Sequence, residues 1–191
     1  DLLFIAETKL DDSFVDALFK VDNYHFWRAD RNAHGGGVAA YLRSDLAGDR
    51  KPNIEFKTIE SICVEIIIDK TKWLISGLYR PPALSNSECL NDLYTSIDKI
   101  TVKYDNFIFI GDLNYNCLVQ DKCSVLSEVC DSFDLINMIK SPTCFQLNET
   151  PSLIDVVLTN QPKKFSSTIN FDCGLSDCHN MIGFQLSLSV Q

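Results

Sequence analysis

The eight cysteines include no CxxC pair, which argues against a zinc ribbon or finger. No apolar run reaches the roughly 18 residues that a membrane helix needs, so no membrane association is expected. No signal peptide is read at the start, where Asp1 leads directly into strand-like sequence. An excess of basic residues is also missing: the formal net charge is −9. A protein that coats nucleic acid non-specifically would be basic, because neutralising phosphates supplies most of that affinity. There is no internal repeat, low-complexity tract or linker, and the length of 191 residues fits one domain with a sizeable core, residues 1–191.

What remains is an ordinary globular composition, 46% hydrophobic and 23% charged. The acidic balance suits an enzyme that collects divalent cations, and it suits a soluble domain of any kind equally well. Several of the cysteines lie within apolar runs, where a free thiol behaves as a small hydrophobe. They read as reduced, which predicts an intracellular protein.

Periodicity then divides the chain. "DLLFIAE" (1–7) reads as a buried strand, "DDSFVDALF" (11–19) as a short helix or turn, and "YHFWRAD" (24–30) as an aromatic strand. The glycines of "RNAHGGG" (31–37) mark a loop before a strand "VAAYLR" (38–43). Ile62, Val64, Ile66 and Ile68 alternate, as in a strand, and a turn at Asp69-Lys70-Thr71 leads into a second strand, "KWLISGLYRPP" (72–82), stopped by two prolines. Helical spacing follows at Leu90, Leu93, Tyr94, Ile97 and Ile100, behind a cap at Asn86 or Ser87. A strand over 106–114, a helix over 124–136 and strands over 152–160, 167–173 and 180–190 complete the pattern. About eight or nine strands with two or three helices, and many short connections, predict antiparallel pairing and a mixed α/β (α+β) fold, two sheets packed together with helices outside.

Polar residues stand where the apolar strands run out. Glu7 follows "LLFIA", Tyr79 and Arg80 follow "WLISGL", Asp112 and Asn114 follow "FIFIG", Asp155 interrupts "SLI" and "VVL", and Asp177 and His179 precede the last strand. Strand ends at one rim can converge on a cleft. Taken singly, a Gly-Asp after a strand is more often a turn. Asp155 is harder to dismiss, because a buried carboxylate needs a partner; His179, one of three histidines, is the natural candidate. His25 and His34 read as structural or surface residues. Together these groups form one chemistry. Glu7 and Asp177 suit Mg²⁺ or Mn²⁺. Asp112 can orient and deprotonate a water. Asn114 can bind a phosphate oxygen or fix Asp112. His179, held by Asp155, can stabilise an anionic transition state. That set suits phosphodiester hydrolysis. Arg31 in the glycine loop could meet a DNA phosphate, and Tyr115 either stacks on DNA or packs.

Glu7-Thr8, "GDLN" (111–114), "LID" (153–155) and "SD-x-H" (176–179) resemble the endonuclease/exonuclease/phosphatase superfamily, which includes DNase I-like and apurinic endonuclease-like enzymes. More narrowly, "HGGGVAAYLR", "GLYRPP", "FIGDLNYN", "SPT", "LIDVVLTNQP" and "GLSDCHNM", in this order, resemble the endonuclease domain of LINE-type non-LTR retrotransposons. The resemblance implies a four-layered α/β sandwich of two mixed, mostly antiparallel sheets with the site at one rim. It implies a metal on Glu7 assisted by Asp177, water positioned by Asp112, and phosphate contacts from Asn114 and Tyr79, with Arg80 beside them. It implies nicking of one DNA strand to a 3′-hydroxyl that primes a reverse transcriptase domain elsewhere in the polypeptide, hence a nuclear site of action, by a monomer. It also implies a further site asparagine on a strand ahead of the one that opens this chain. Because the chain opens on Asp1 in mid-strand, an N-terminally trimmed domain with reduced or absent activity is expected. A second departure is Cys178 between Asp177 and His179, where many members have adjacent Asp-His. In an extended strand one extra residue turns a side chain to the other face, so a bulge is expected there. The competing readings are a phosphatase or phosphodiesterase of the same superfamily acting on a small or lipid phosphate, and a catalytically decayed, transposon-derived binding domain.

Overall fold

A computed structural model describes residues 1–187 of the chain. The outer residues of the expected last strand, 188–190, lie outside the described residues.

Three strands, β1 (Leu2–Ala6), β2 (Tyr24–Ala29) and β3 (Val38–Arg43), form an antiparallel sheet in the order β1-β3-β2. The larger sheet contains β4 (Gly48–Arg50), β5 (Glu60–Ile68), β6 (Thr71–Tyr79), β7 (Phe107–Asp112), β8 (Ile136–Asn137) and β9 (Asp155–Thr159). Its order is β4-β5-β6-β7-β9-β8, and every neighbouring pair is antiparallel except β6 and β7. A separate hairpin, β10 (Phe165–Phe171) and β11 (Met181–Leu186), contacts β9. Helices α1 (Asn86–Thr101) and α2 (Ser124–Ser132) pack against each other, and α1 contributes Cys89, Leu93, Ile97 and Ile100 to the core.

The small sheet packs on β5, β6 and β7, with Phe4 against Gly77. The α-helices supply apolar side chains to the same core from elsewhere in the chain. Tyr41 and Phe26 on the small sheet pair at 4.8 Å between ring centroids, and Phe26 meets Phe19 at 5.8 Å. Phe19 ends a 3₁₀ turn, Asp16–Phe19, and its carbonyl accepts the Tyr41 hydroxyl. The helical cover at this place is therefore one 3₁₀ turn, where the sequence predicts a helix or turn over 11–19.

Other boundaries differ from the sequence reading for local reasons. Ser85, rather than Asn86 or Ser87, caps α1: its Oγ accepts from the Glu88 amide at 3.3 Å and donates to the Glu88 carboxylate. The expected helix over 124–136 stops at Ser132, because Ile136–Asn137 pairs with β9. The short strands β4 and β8 are too brief to show a period.

Two features tie the frame together. Gly111 sits in β7 at φ 145°, and a β-carbon there would collide with the carbonyl of Leu78 on β6, so the close approach of β6 and β7 requires glycine. Asp92, buried on α1, accepts from the amides of Lys57, Thr58 and Ile59 and from the hydroxyls of Thr58 and Ser96. Burial by itself pushes the Asp92 carboxyl up; the amides of Ile59, Lys57 and Thr58 outweigh it and hold it below the ordinary range. Asp92→Ala removes the acceptor of three amides, of which that of Ile59 is buried, and a loss of about 2 kcal/mol in urea unfolding is expected. A depressed carboxyl stabilises the fold above its unfolded pKa. The wild-type advantage should therefore be complete at neutral pH and fade below about pH 4.

Candidate active site

The β6–β7–β9 register builds the site. Tyr79 is the cross-strand partner of Asp112, and Asp112 is the partner of Asp155. Three strands thus end in one row of side chains on one face. Asp112 and Asp155 are 9% and 8% exposed, so both carboxylates are taken out of water side by side.

Each neighbour in this row is held by identifiable contacts. The Asn114 amide donates to Asp112 Oδ1 at 2.8 Å, and Asn114 Nδ2 donates to the Arg80 carbonyl at 2.9 Å and to Asp112 Oδ2 at 3.3 Å. Asn114 adopts a left-handed φ of 53° to do so. His179 Nδ1 lies 3.0 Å from Asp155 Oδ2. Thr143, fully buried, accepts the amide of Asp155 on its Oγ1 at 3.1 Å and so fixes the start of β9. The Tyr79 hydroxyl donates to Glu7 Oε1. Glu7 stands just past β1 at φ 54°, in a segment tied to the glycine loop by Thr8 N to Gly37 O at 3.3 Å and Lys9 N to Gly36 O at 2.9 Å. Gly37 is itself at φ 88°, and a β-carbon there would strike the Thr8 side chain. The "HGGG" stretch therefore allows the loop to lie against the Glu7 segment.

The electrostatics follow from burial. The Asp112 carboxyl is pushed up to about 7, first by desolvation and then by the Asp155 charge. His179 is raised above its ordinary value, chiefly by its hydrogen bond to Asp155, against the opposing effect of burial. The Tyr79 hydroxyl is raised by burial and by Glu7. Asp112, Asp155 and His179 present ligand atoms within 4.8 Å of one another.

Glu7, Tyr79, Asp112, Asn114, Asp155 and His179 are thus brought to one rim, and Arg31 reaches it. The Arg31 guanidinium pairs with Glu60 at 2.9 Å and lies 6.0 Å from the Tyr79 ring. Three further residues stand apart from that row. Asp177 is exposed, and among the described residues it belongs to no cluster of three metal-ligating side chains. Cys178 and His179 donate their amides to Ser176 Oγ at 3.3 and 3.0 Å, so 174–178 is a bent loop. Strand alternation does not apply there, no bulge is needed, and Asp177 turns outward. Tyr115 is 5% exposed, its ring is covered by the Arg80 guanidinium at 4.3 Å, and its hydroxyl donates to Asn86. Tyr115 therefore packs. Arg80 is 6% exposed, donates to the Leu84 carbonyl at 2.5 Å and, with Tyr115, forms part of the wall of a cleft beside the row.

Thr143 and Glu60 carry positioning roles that the sequence reading did not assign. The Ser-Pro-Thr motif marks the first; Glu60, at a strand start, carries no signal beyond a charge. Glu60 Oε2 accepts the Gly37 amide at 2.5 Å, linking β5 to the glycine loop.

A row of buried carboxylates and a carboxylate-held histidine at the rim of packed sheets defines the class of hydrolytic nucleases and phosphodiesterases with a DNase I-like fold. A profile of the endonuclease–reverse transcriptase family matches residues 73–182, and the chain belongs to that family. No curated protein matches it by sequence. Among solved structures, the endonuclease domain of TRAS1, a telomere-specific non-LTR retrotransposon, is 16% identical with a TM-score of 0.71, over 88% of this chain and 82% of that one. An AP endonuclease from Archaeoglobus fulgidus is 12% identical with a TM-score of 0.68, over 98% and 89%. A 3′ phosphatase from Neisseria, bound to a product DNA hairpin, is 14% identical with a TM-score of 0.69, over 98% and 89%.

A raised carboxyl means the folded state binds a proton that the unfolded state releases, so Asp112 costs stability as pH rises from about 4 to about 7. The raised His179 acts in the same direction, stabilising below its ordinary value and losing that contribution as pH rises through the raised one. In metal-free buffer, Asp112→Asn should gain stability relative to wild type between pH 4 and pH 8, by a few kcal/mol, read from urea midpoints. A constant difference across that range would contradict the buried charge.

Proposed function

We propose that the chain is a divalent-metal-dependent endonuclease that nicks one strand of DNA and leaves a 3′-hydroxyl. The nick would serve a reverse transcriptase carried elsewhere in the polypeptide, and the site of action would be the nucleus. The observation that carries this reading is the row of Tyr79, Asp112 and Asp155 completed by Glu7 and His179. The family match and the DNA-processing structures of like fold support it.

The donor set fits a hard cation. Glu7 and Asp112 offer carboxylate oxygens close enough for the Glu7 charge to push the Asp112 carboxyl further up. A buried carboxyl raised to about 7 is a group that a nearby cation would return to its ionised form. These residues would hold Mg²⁺ or Mn²⁺, and when bound it would neutralise the phosphate and the developing charge on it.

The protein groups would act as follows. Asp112, steadied by the Asn114 amide, orients a water and accepts its proton. Asp155, steadied by Thr143, holds His179 in one orientation. The raised His179 stays protonated through more of the neutral range and presents positive charge to the phosphorane-like oxygens. Glu7 fixes the Tyr79 hydroxyl at the phosphate edge. A cleft of about 780 Å³, lined in part by Asn114, Asn116, Lys122 and Ile154, adjoins the row and gives room for a strand.

Incubation with supercoiled plasmid and Mg²⁺ should give relaxed circles that DNA ligase reseals. Asp112→Ala and His179→Ala should each slow nicking by about 100-fold or more. With the full-length polypeptide as the enzyme, equal rates for wild type and Asp112→Ala would sink the proposal. Phosphate release from inositol phosphates without nicking would point instead to a small-molecule phosphatase.

A further inference from the structure

The segment "GLSDCHNM" contributes more than His179. Cys144, Cys178 and His179 present ligand atoms that all lie within 4.8 Å of one another. Two chain segments bring them together, and backbone hydrogen bonds lock those segments. Phe145 N donates to Cys178 O at 2.8 Å, Asn180 N donates to Thr143 O at 2.8 Å, and Cys144 is the bridge partner of His179. The ligand geometry is therefore built into the fold and does not depend on a loose loop.

We propose that Cys144, Cys178 and His179 form a binding site for a thiophilic divalent cation such as Zn²⁺, distinct in chemistry from the carboxylate row beside it. Two thiolates and an imidazole are the soft and borderline donors that Zn²⁺ takes in preference to Mg²⁺. A tetrahedral zinc spaces such donors by roughly 3.5–3.8 Å. Ligand atoms within 4.8 Å need to move by about 1 Å or less to meet that spacing. Asp155 already bonds His179 Nδ1, the carboxylate–histidine pairing that commonly backs a metal-ligating imidazole. Cys144 is buried, while Cys178 and His179 are partly exposed and line a cavity of about 270 Å³ with Phe145 and Asn180. That cavity gives the ion an entry path and leaves a fourth position for water.

Because a thiophilic ion would take the His179 imidazole away from its role toward the phosphate, the two cations would act in opposition: Mg²⁺ on the carboxylates would support hydrolysis, and a thiophilic ion on His179 would stop it. This consequence for activity rests on the nuclease reading above; the binding itself does not.

Binding is read directly by titrating the reduced chain with Co²⁺, whose thiolate charge-transfer and visible bands report sulfur ligation without any substrate. A second thiol pair needs a control, since the Cys117 and Cys123 sulfurs lie 3.1 Å apart. We expect one equivalent of thiolate-bound Co²⁺, displaced by Zn²⁺, lost in Cys178→Ser and retained in a Cys117→Ala, Cys123→Ala variant. Thermal melts confirm that each variant is folded, and Cys178, being partly exposed, tolerates serine. The proposal is overturned if wild type shows no thiolate band, if Cys178→Ser keeps it, or if only the Cys117, Cys123 variant loses it. Where the chain nicks plasmid, Zn²⁺ should inhibit wild type at least 10-fold more strongly than Cys178→Ser.

Discussion

Asp112 and Asp155 are cross-strand neighbours with almost no access to water, and the repulsion between them governs the architecture of the rim. Two buried like charges are tolerated only where opposite charge or hydrogen-bond donors are close. The neighbourhood supplies both. Asn114 donates its backbone amide to one carboxylate, Thr143 fixes the amide of the residue bearing the other, and His179 sits on Asp155. The left-handed backbone at Asn114 and at Glu7 places polar groups where an ordinary strand end would carry them past the site. A site strained in this way holds its groups in place before any ligand arrives.

Much of the frame could be read from the sequence, because the relevant signals are local. Alternation at Ile62, Val64, Ile66 and Ile68 marks β5, and the run "FIFIG" marks β7 with its acid at the end. Asp155 inside an apolar run pointed to a partnered buried charge, and the structure gives it His179. What escaped is non-local or conformational. The side chain of Asp177 turns outward because Ser176 captures two amides and bends the loop. For Tyr115 the sequence leaves stacking on DNA and packing both open, and the cover by Arg80 decides for packing. Glu60 matters through a glycine amide in the loop before β3, a contact with no sequence period. Ser85 caps α1 ahead of two other residues with cap-forming side chains, and only the backbone angles select it.

The cysteines divide into two environments. Cys63 is enclosed, and burial drives its thiol up to about 12, so it behaves as a small apolar side chain. Cys178 is partly open to solvent and stands beside the imidazole that serves Asp155. The same residue type thus fills space in the core and, at the rim, brings sulfur chemistry next to oxygen chemistry.

The six side chains that converge on the rim come from positions 7, 79, 112, 114, 155 and 179, nearly the full described span of the chain. Asp112 and Asp155 take up their ladder positions without their cationic neighbour until the segment carrying His179 has docked. During synthesis on a ribosome that segment emerges last of these. The carboxylates of the row are therefore encoded well ahead of the imidazole that pairs with one of them, and the rim is complete only in a polypeptide that extends past residue 179.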